Sequence, residues 1–539
     1  MRSLKRFLAP LFLLLGLFIS AASVRAEVEA KGFDYFTNMV MDAHMVIVTN
    51  FRGDKELDKA KLFGMGKKNL LKWAENNLKP EDTEKVRKFA DSNFLFLPEF
   101  VDASKVLEPI ATDWVAPTDA FIEGMVAGTG DPFTHYFTRE ELQKLMGLLE
   151  GEGEADRFGF IPRITPDGLK ILHVSYGSVA FYSGLKPGDI IQAVNGESPD
   201  NIDREKIGRY LRGDDGELAL KIMRQGWSEP LDIHLRPVRI SVPVCDGALL
   251  YGSVAYVHPK LFTLELANDV RSELDALKGR GAKAIILDLR WNPGGNAKAA
   301  VDLCDVFLRG RKIVTYFSMM NEAAGLTSPL MANGIYTPFE RMPMVCLINE
   351  SSASASEMTS GALQDHQRCT IMGAKSYGKG CAQAPLAIPY SKSQRFIYIT
   401  MAKYFLPSNR SIHMTGVEPD IATPDGPTGF GERGFMRICS DKQVSRFTEK
   451  VLKEKTFSGG RLARGELQLA EIRGYSSLEK TLRRSYPDVP VDWIHEAVRW
   501  SLIGAYSMKI KASMTYDSHD RAIQAAIDRL EYETGKTLR

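Results

Sequence analysis

The sequence predicts a multidomain α+β protein. It should carry a helical amino-terminal region, a small β-rich module, an α/β domain with a largely parallel sheet, and a helical carboxyl-terminal region. Three observations predict this. At 539 residues the chain is too long for one hydrophobic core. From Gly252 onward, apolar strand-like runs such as AKAIILDLR and MVCLINE alternate with helical stretches such as TLELANDVRSELDALKG. Before that, between residues 158 and 237, the short runs LKILHV and DIIQAVNG are set off by turn sequences, KPGD and NGES.

Each element follows in order. Arg2, Lys5 and Arg6 precede an apolar run from Phe7 to Ile19 and a small-residue exit ending at Ala26. That pattern predicts a secretory signal over 1–26 and an exported, periplasmic mature protein. Retained uncut, the same run would act as a membrane anchor, although it is short for a spanning helix. Residues 27–155 read as mostly helical, ending in the Gly/acidic stretch GEGEAD. The β-rich module takes 156–238, the α/β domain 239–425, and a second helical region 426–539.

Composition excludes several classes of function. The chain is 44% hydrophobic and 25% charged with a net charge of +2, which predicts neither disorder nor a nucleic-acid partner. Its six cysteines are too few for a disulfide scaffold, and Cys346 and Cys369 lie in apolar runs as small core residues. No CxxC pair or HExxH spacing points to a metal, and no cofactor is expected.

Two strands of the α/β domain end in unusual loops. AIILDLR runs into Trp291-Asn292-Pro293-Gly294-Gly295-Asn296, and VCLINE runs into Ser351-Ser352-Ala353-Ser354-Ala355-Ser356. In open α/β sheets ligands gather at the carboxyl ends of the strands. Paired glycines let backbone N–H groups approach a ligand, and the start of the helix after the serine run presents free donors to a developing oxyanion. Taken singly, each loop also reads as an ordinary turn or cap.

Of the nine histidines only His258, His366 and His413 fall in the α/β domain, and no GxSxG elbow surrounds the serines. Lys379, framed by Gly378 and Gly380, is the better base, provided that burial lowers its affinity for a proton. Otherwise it is one more solvated lysine. Ser376-Tyr377-Gly378-Lys379 also fits the SxxK pattern, but the glycines oppose a helix and the companion SDN and KTG elements are absent.

The blocks SASASE, GALQD, YGKG, DLRWNPGG, RSIHMTGVEPDI and GMVAGTGDPFTHY together resemble the carboxy-terminal processing (tail-specific) serine proteases. The stretch SGLKPGDIIQAVNG resembles their PDZ domain. The resemblance spans roughly residues 115–425. It implies a crotonase-like α/β protease core, to which the end of the 27–155 region contributes, with an inserted PDZ domain. It also implies a Ser354 nucleophile, a Lys379 general base, and Gln383 orienting the lysine. Backbone donors at Ala355 and at Gly294 or Gly295 would form the oxyanion hole. Glu357 would either position the lysine or simply begin the helix. In the PDZ domain, Phe158-Gly159-Phe160-Ile161 would hold the carboxylate of a protein substrate with a nonpolar tail. The resemblance further implies self-association or an adaptor acting through the helical extensions. A rival reading is a catalytically silent relative that only binds peptides. Trp291 departs from the small or polar residue that often precedes NPGG, and Cys381 is a second departure.

Overall fold

The computed structural model describes residues 32–539 except 54–55, 95, 111, 151–157, 166–167, 175–177, 200–203, 214, 238–243, 319–327, 333–336, 393, 425–431, 455–456, 464–466 and 511–519. The 1–26 signal falls outside the described residues. Two units are distinguished.

The first unit, within 1–44 and 59–128, is helical. Its helices include Lys59–Asn77, Pro80–Asp91, Leu97–Ser104 and Val115–Gly128. Phe36, Phe63, Phe89, Phe100, Trp114 and Phe121 are buried together, with the Phe36 and Phe121 rings 5.4 Å apart edge to face. Small residues let two of the helices touch backbone to backbone. A Cβ on Gly124 would stand 2.3 Å from the Met65 carbonyl oxygen.

The second unit holds three sheets. The central one has six strands in the order Ile421–Ala422, Thr370–Gly373, Met344–Ile348, Ala284–Asp288, Val254–Pro259 and Cys245–Leu250. All neighbours are parallel except the antiparallel last pair. The middle strands AIILD and MVCLI are buried at every position, as strands covered on both faces must be. Helices Leu266–Gly279, Ala297–Cys304 and Ala355–Asp365 share a core with one face. The last helix, Arg521–Thr534, covers the other face with Ala522, Ile523, Ala526, Ile527 and Leu530.

KIVTYFS and RFIYITMAKYF, which in sequence also read as strands of the α/β domain with its largely parallel sheet, are strands of a different sheet. Lys312–Ser318 and Arg395–Phe405 pair antiparallel, alongside His135–Thr138, Ser328–Met331 and Cys381–Ala387. Strand Cys381–Ala387 returns as Arg395–Phe405 after seven residues, too few for the crossover that a parallel pairing needs.

The β-rich module is an antiparallel sheet whose strands follow chain order: Phe160–Thr165, Gly168–Val174, Ile190–Val194, Leu218–Met223 and Leu231–Leu235. Its core is continuous with the helical stretch that runs from Arg433–Cys439 to Val491–Ile510.

Candidate active site

Strands Ala284–Asp288 and Met344–Ile348 are parallel neighbours, so the loops after them emerge side by side. Four hydrogen bonds stitch these loops together. Ala353 N donates to Asn292 O at 3.0 Å, and Ser356 Oγ to the same oxygen at 2.9 Å. Ser352 Oγ donates to Leu289 O at 2.8 Å, and Trp291 N to Asn349 Oδ1 at 2.9 Å. The run of small hydroxyl residues is therefore internal wiring, with Ser352 and Ser356 fully buried.

Ser354 stands apart from them. It is half-buried, it caps helix Ala355–Asp365, and its backbone is left-handed with φ +55°. A non-glycine residue in that region is strained and must be held there by its surroundings. One restraint is Gly294. A Cβ on it would lie 2.8 Å from Ser354 Cβ, 2.8 Å from Ala355 N and 2.6 Å from Ala353 O. The two glycines of the loop differ in their donors. Gly294 N–H is spent on Asn292 Oδ1 at 2.8 Å, whereas Gly295 N–H has no acceptor among the described residues. Ala355 N–H, in the first helical turn, is likewise outside the helix's own bonding.

Lys379 reaches this site by way of Glu357. That carboxylate is fully buried and accepts from Ser354 N at 2.8 Å, Lys379 N at 2.8 Å, Gly378 N at 2.7 Å and Ser376 Oγ at 2.5 Å. It thus both starts the helix and fastens the lysine loop to the serine loop. Burial pushes the Glu357 carboxyl up from its ordinary value, against these four donors, which favour the charged form. Tyr404 adds a second tie. Its hydroxyl lies 3.2 Å from the Ser354 carbonyl oxygen and donates to that of Lys379.

The Lys379 amine sits 5.5 Å from the centroid of Phe133. Burial lowers its proton affinity, outweighing the opposing pull of the Asp131 and Glu357 carboxylates. Among the described residues it makes no hydrogen bond to Ser354 Oγ. Gln383 turns its amide to Cys381 Sγ at 3.0 Å and Thr400 Oγ1 at 3.1 Å and makes no hydrogen bond to Lys379. The strand shifts register between Ala382 and Gln383, which displaces the side chain from the simple alternation expected of it. Burial pushes the Cys381 thiol up to about 11, so it is neutral and uncharged beside the amine.

None of the three α/β-domain histidines takes the place of this lysine. His258 is fully buried, with Nε2 3.2 Å from Arg290 O, and burial lowers it to about 4. His366 ends the helix that Ser354 begins. His413 packs on Phe133 at 5.6 Å and accepts from Gly380 N at 3.3 Å.

Trp291, at φ +60°, turns its ring away from the serine onto Phe181 of the β-rich module at 5.3 Å. Arg290 stacks on the ring at 4.7 Å and is itself clamped between Asp288 at 2.6 Å and Asp520 at 2.8 Å. In the module, Phe158 and Phe160 are buried. Phe158 O accepts from Ala180 N at 2.9 Å, and Gly159 O from Ser178 Oγ at 3.2 Å. These carbonyls face the start of helix Val179–Tyr182. Sequence reasoning weighed Ser376 only within the SxxK pattern and passed over Tyr404 and Phe133. Only Phe133 had a visible signal, through its place in the GTGDPFTHY block. Among the described residues no cluster of metal ligands occurs.

The description "Peptidase family S41" matches residues 253–423, and "PDZ domain" matches 141–223. The five-stranded module itself runs on to Leu235. A carboxyl-terminal-processing protease of Synechocystis sp. is 32% identical over 318 residues, covering 58% of this chain and 72% of the relative. Carboxyl-terminal-processing peptidase 3, chloroplastic, of Arabidopsis thaliana is 29% identical over 323 residues, covering 57% of this chain and 60% of the relative. The solved photosystem II D1 C-terminal processing protease shares the fold, with a TM-score of 0.51 over 72% of this chain and 93% of its own at 19% identity. With these matches and the serine–lysine loops described above, the chain belongs to the carboxyl-terminal-processing proteases, serine peptidases of family S41, and carries a PDZ domain.

Proposed function

We propose that this protein is an exported endopeptidase that selects protein substrates by their carboxyl termini and cleaves them with a Ser354–Lys379 dyad. The observation that carries the reading is the single Glu357 carboxylate bonded to both Ser354 N and Lys379 N. It fixes the backbones of nucleophile and base against each other.

Lys379, its proton affinity lowered by burial, takes in its neutral form the proton from Ser354 Oγ as that oxygen adds to the substrate carbonyl carbon. The negative oxygen of the tetrahedral intermediate rests on Ala355 N–H and Gly295 N–H, the donors with no other acceptor among the described residues. The lysine then passes the proton to the departing nitrogen, the C–N bond breaks, and water hydrolyses the acyl-enzyme by the reverse use of the same groups. The absence of a dyad hydrogen bond fits a contact that closes when substrate fills the site, as catalytic bonds often do. Cys381 shapes the apolar wall beside the amine, and Gln383 orients that cysteine.

The PDZ domain takes the substrate's free carboxylate at Phe158–Ile161, and the apolar surroundings of that segment favour nonpolar tails. The basic, apolar, small-residue order of residues 1–26 supports export to the periplasm. No described helix is long and apolar enough to cross a membrane. The helical regions are the surfaces proposed for self-association or an adaptor.

A peptide labelled at its tail, incubated with wild type, Ser354→Ala and Lys379→Ala, tests the reading. Cleavage by wild type alone supports it. Equal cleavage by all three discards it, and binding without cleavage by the wild type would favour the peptide-binding relative.

A further inference from the structure

The lysine side of the cleft carries apolar surface that the catalytic reading leaves unused. Tyr377 is 52% exposed and Met414 66% exposed, among the largest exposures of any bulky apolar side chain described. Both are tied to the lysine loop. Tyr377 adjoins Gly378 in the chain, and its ring meets Phe133 edge-on at 6.3 Å. Phe133 is the same ring that lies under the Lys379 amine. Met414 N donates to Gly378 O at 2.8 Å, so its turn lies across the loop. Gly378 leaves no room between them, since a Cβ there would be 3.2 Å from Met414 C and 3.1 Å from Gly416 N.

Met414 carries two separate penalties: an apolar side chain in water, and a left-handed backbone at φ +58° that disfavours any residue with a Cβ. Glycine would remove both penalties. The exposed methionine offers its side chain to something outside the chain. The chemistry of the dyad says what that is. The group that takes the serine proton must hand it to the departing nitrogen, so the base stands on the leaving-group side of the scissile bond. Surface beyond Lys379 therefore meets the residue that follows that bond, the first residue of the released tail.

We propose that Tyr377 and Met414, backed by Phe133, form the subsite for that residue and select a nonpolar side chain in it. The proposal rests on the Ser354–Lys379 reading. It makes specificity twofold, with the end of the tail read by the PDZ domain and its beginning read here.

The test uses the full-length protein, its Met414→Lys and Tyr377→Ser variants, and peptides that differ only in the residue after the scissile bond. Wild type should cleave peptides with Leu, Phe or Met there about tenfold better than those with Asp or Lys. Met414→Lys should improve Asp relative to Leu by about tenfold, while preferences before the bond stay fixed. Tyr377→Ser should flatten the apolar preference. Both positions are exposed, and unchanged circular dichroism verifies folding. An identical profile in wild type and both variants overturns the proposal, as does a change confined to the residue before the bond. If Ser354→Ala cleaves like wild type, the catalytic reading falls first and this subsite with it.

Discussion

Glu357 Oε2 accepts the backbone N–H of Lys379 at 2.8 Å, twenty-two residues along the chain. The same oxygen accepts Ser354 N, so one buried atom sets the spacing of two loops that belong to different strands. Replacing Glu357 by Ala strands four donors in a dry interior. The expected cost is about 3 kcal/mol or more in urea unfolding, with hydrolysis reduced at least about a hundredfold. Glu357→Gln should recover stability only in part, because its NH2 group would face donors instead of accepting from them. Peptide turnover with near-wild-type kcat in either variant would contradict the tie.

The lysine should be visible in the pH profile. With the Lys379 amine held below its usual value of about 10.4, kcat/KM should fall on acidification through an ionisation lower than that value. Lys379→Arg, permanently charged, should be inactive at every pH. The sign for stability is the opposite of an ion pair's. Because the folded state resists the proton, the cost of burying the charge is fully present below the depressed value. It is relieved as pH rises through that value toward about 10.4. Lys379→Met should therefore be more stable than wild type at low pH, with the advantage fading in alkali, as read by melting temperature across a pH series.

Gly294 offers a steric test. Gly294→Ala places a Cβ against Ser354 Cβ and Ala355 N in a backbone with φ +96°. The nucleophile and one oxyanion donor must shift together. The expected result is a kcat lower by about a hundredfold with KM little changed, measured on a short peptide.

Acid should act separately on the helical unit. His44 is buried against Phe63 with ring centroids 5.0 Å apart, and burial lowers its proton affinity, with Lys59 adding to the effect. The unfolded chain then binds the proton more readily, so stability is present above about pH 6.5 and is lost as pH falls below it. Protection against hydrogen exchange, corrected for the slower intrinsic exchange in acid, should fall in helices Phe33–Asn50 and Lys59–Asn77 between pH 7 and 5 in wild type. It should do so far less in His44→Leu.

What the sequence disclosed, and what it did not, has a physical pattern. The α/β rhythm was legible because strands buried on both faces are written as unbroken apolar runs, as in AIILD and MVCLI. The short strands of the PDZ module were legible because turn sequences separate them. The two loops could be located from NPGG and the small serine run, since close backbone packing tolerates little else. The assignment of Lys312–Ser318 and Arg395–Phe405 to a second, antiparallel sheet was not legible, because pairing partners leave no local mark in a strand. Tyr404 was hidden for a similar reason. A tyrosine in a strand reads as ordinary packing, and only the fold brings its hydroxyl to the carbonyls of Ser354 and Lys379. Glu357 stood in view three residues after Ser354, but its four donors come from segments that meet only in three dimensions.

The clamp on Arg290 joins two distant parts of the chain. Asp520 caps the helix that closes the far face of the central sheet, and it is made 230 residues after the arginine it holds. Until that helix emerges and docks, Tyr256, Ile286 and Leu347 face water and the guanidinium beside Trp291 lacks half its counter-charge. A chain that lacks this helix would therefore leave Arg290, at the root of the NPGG loop, paired with Asp288 alone.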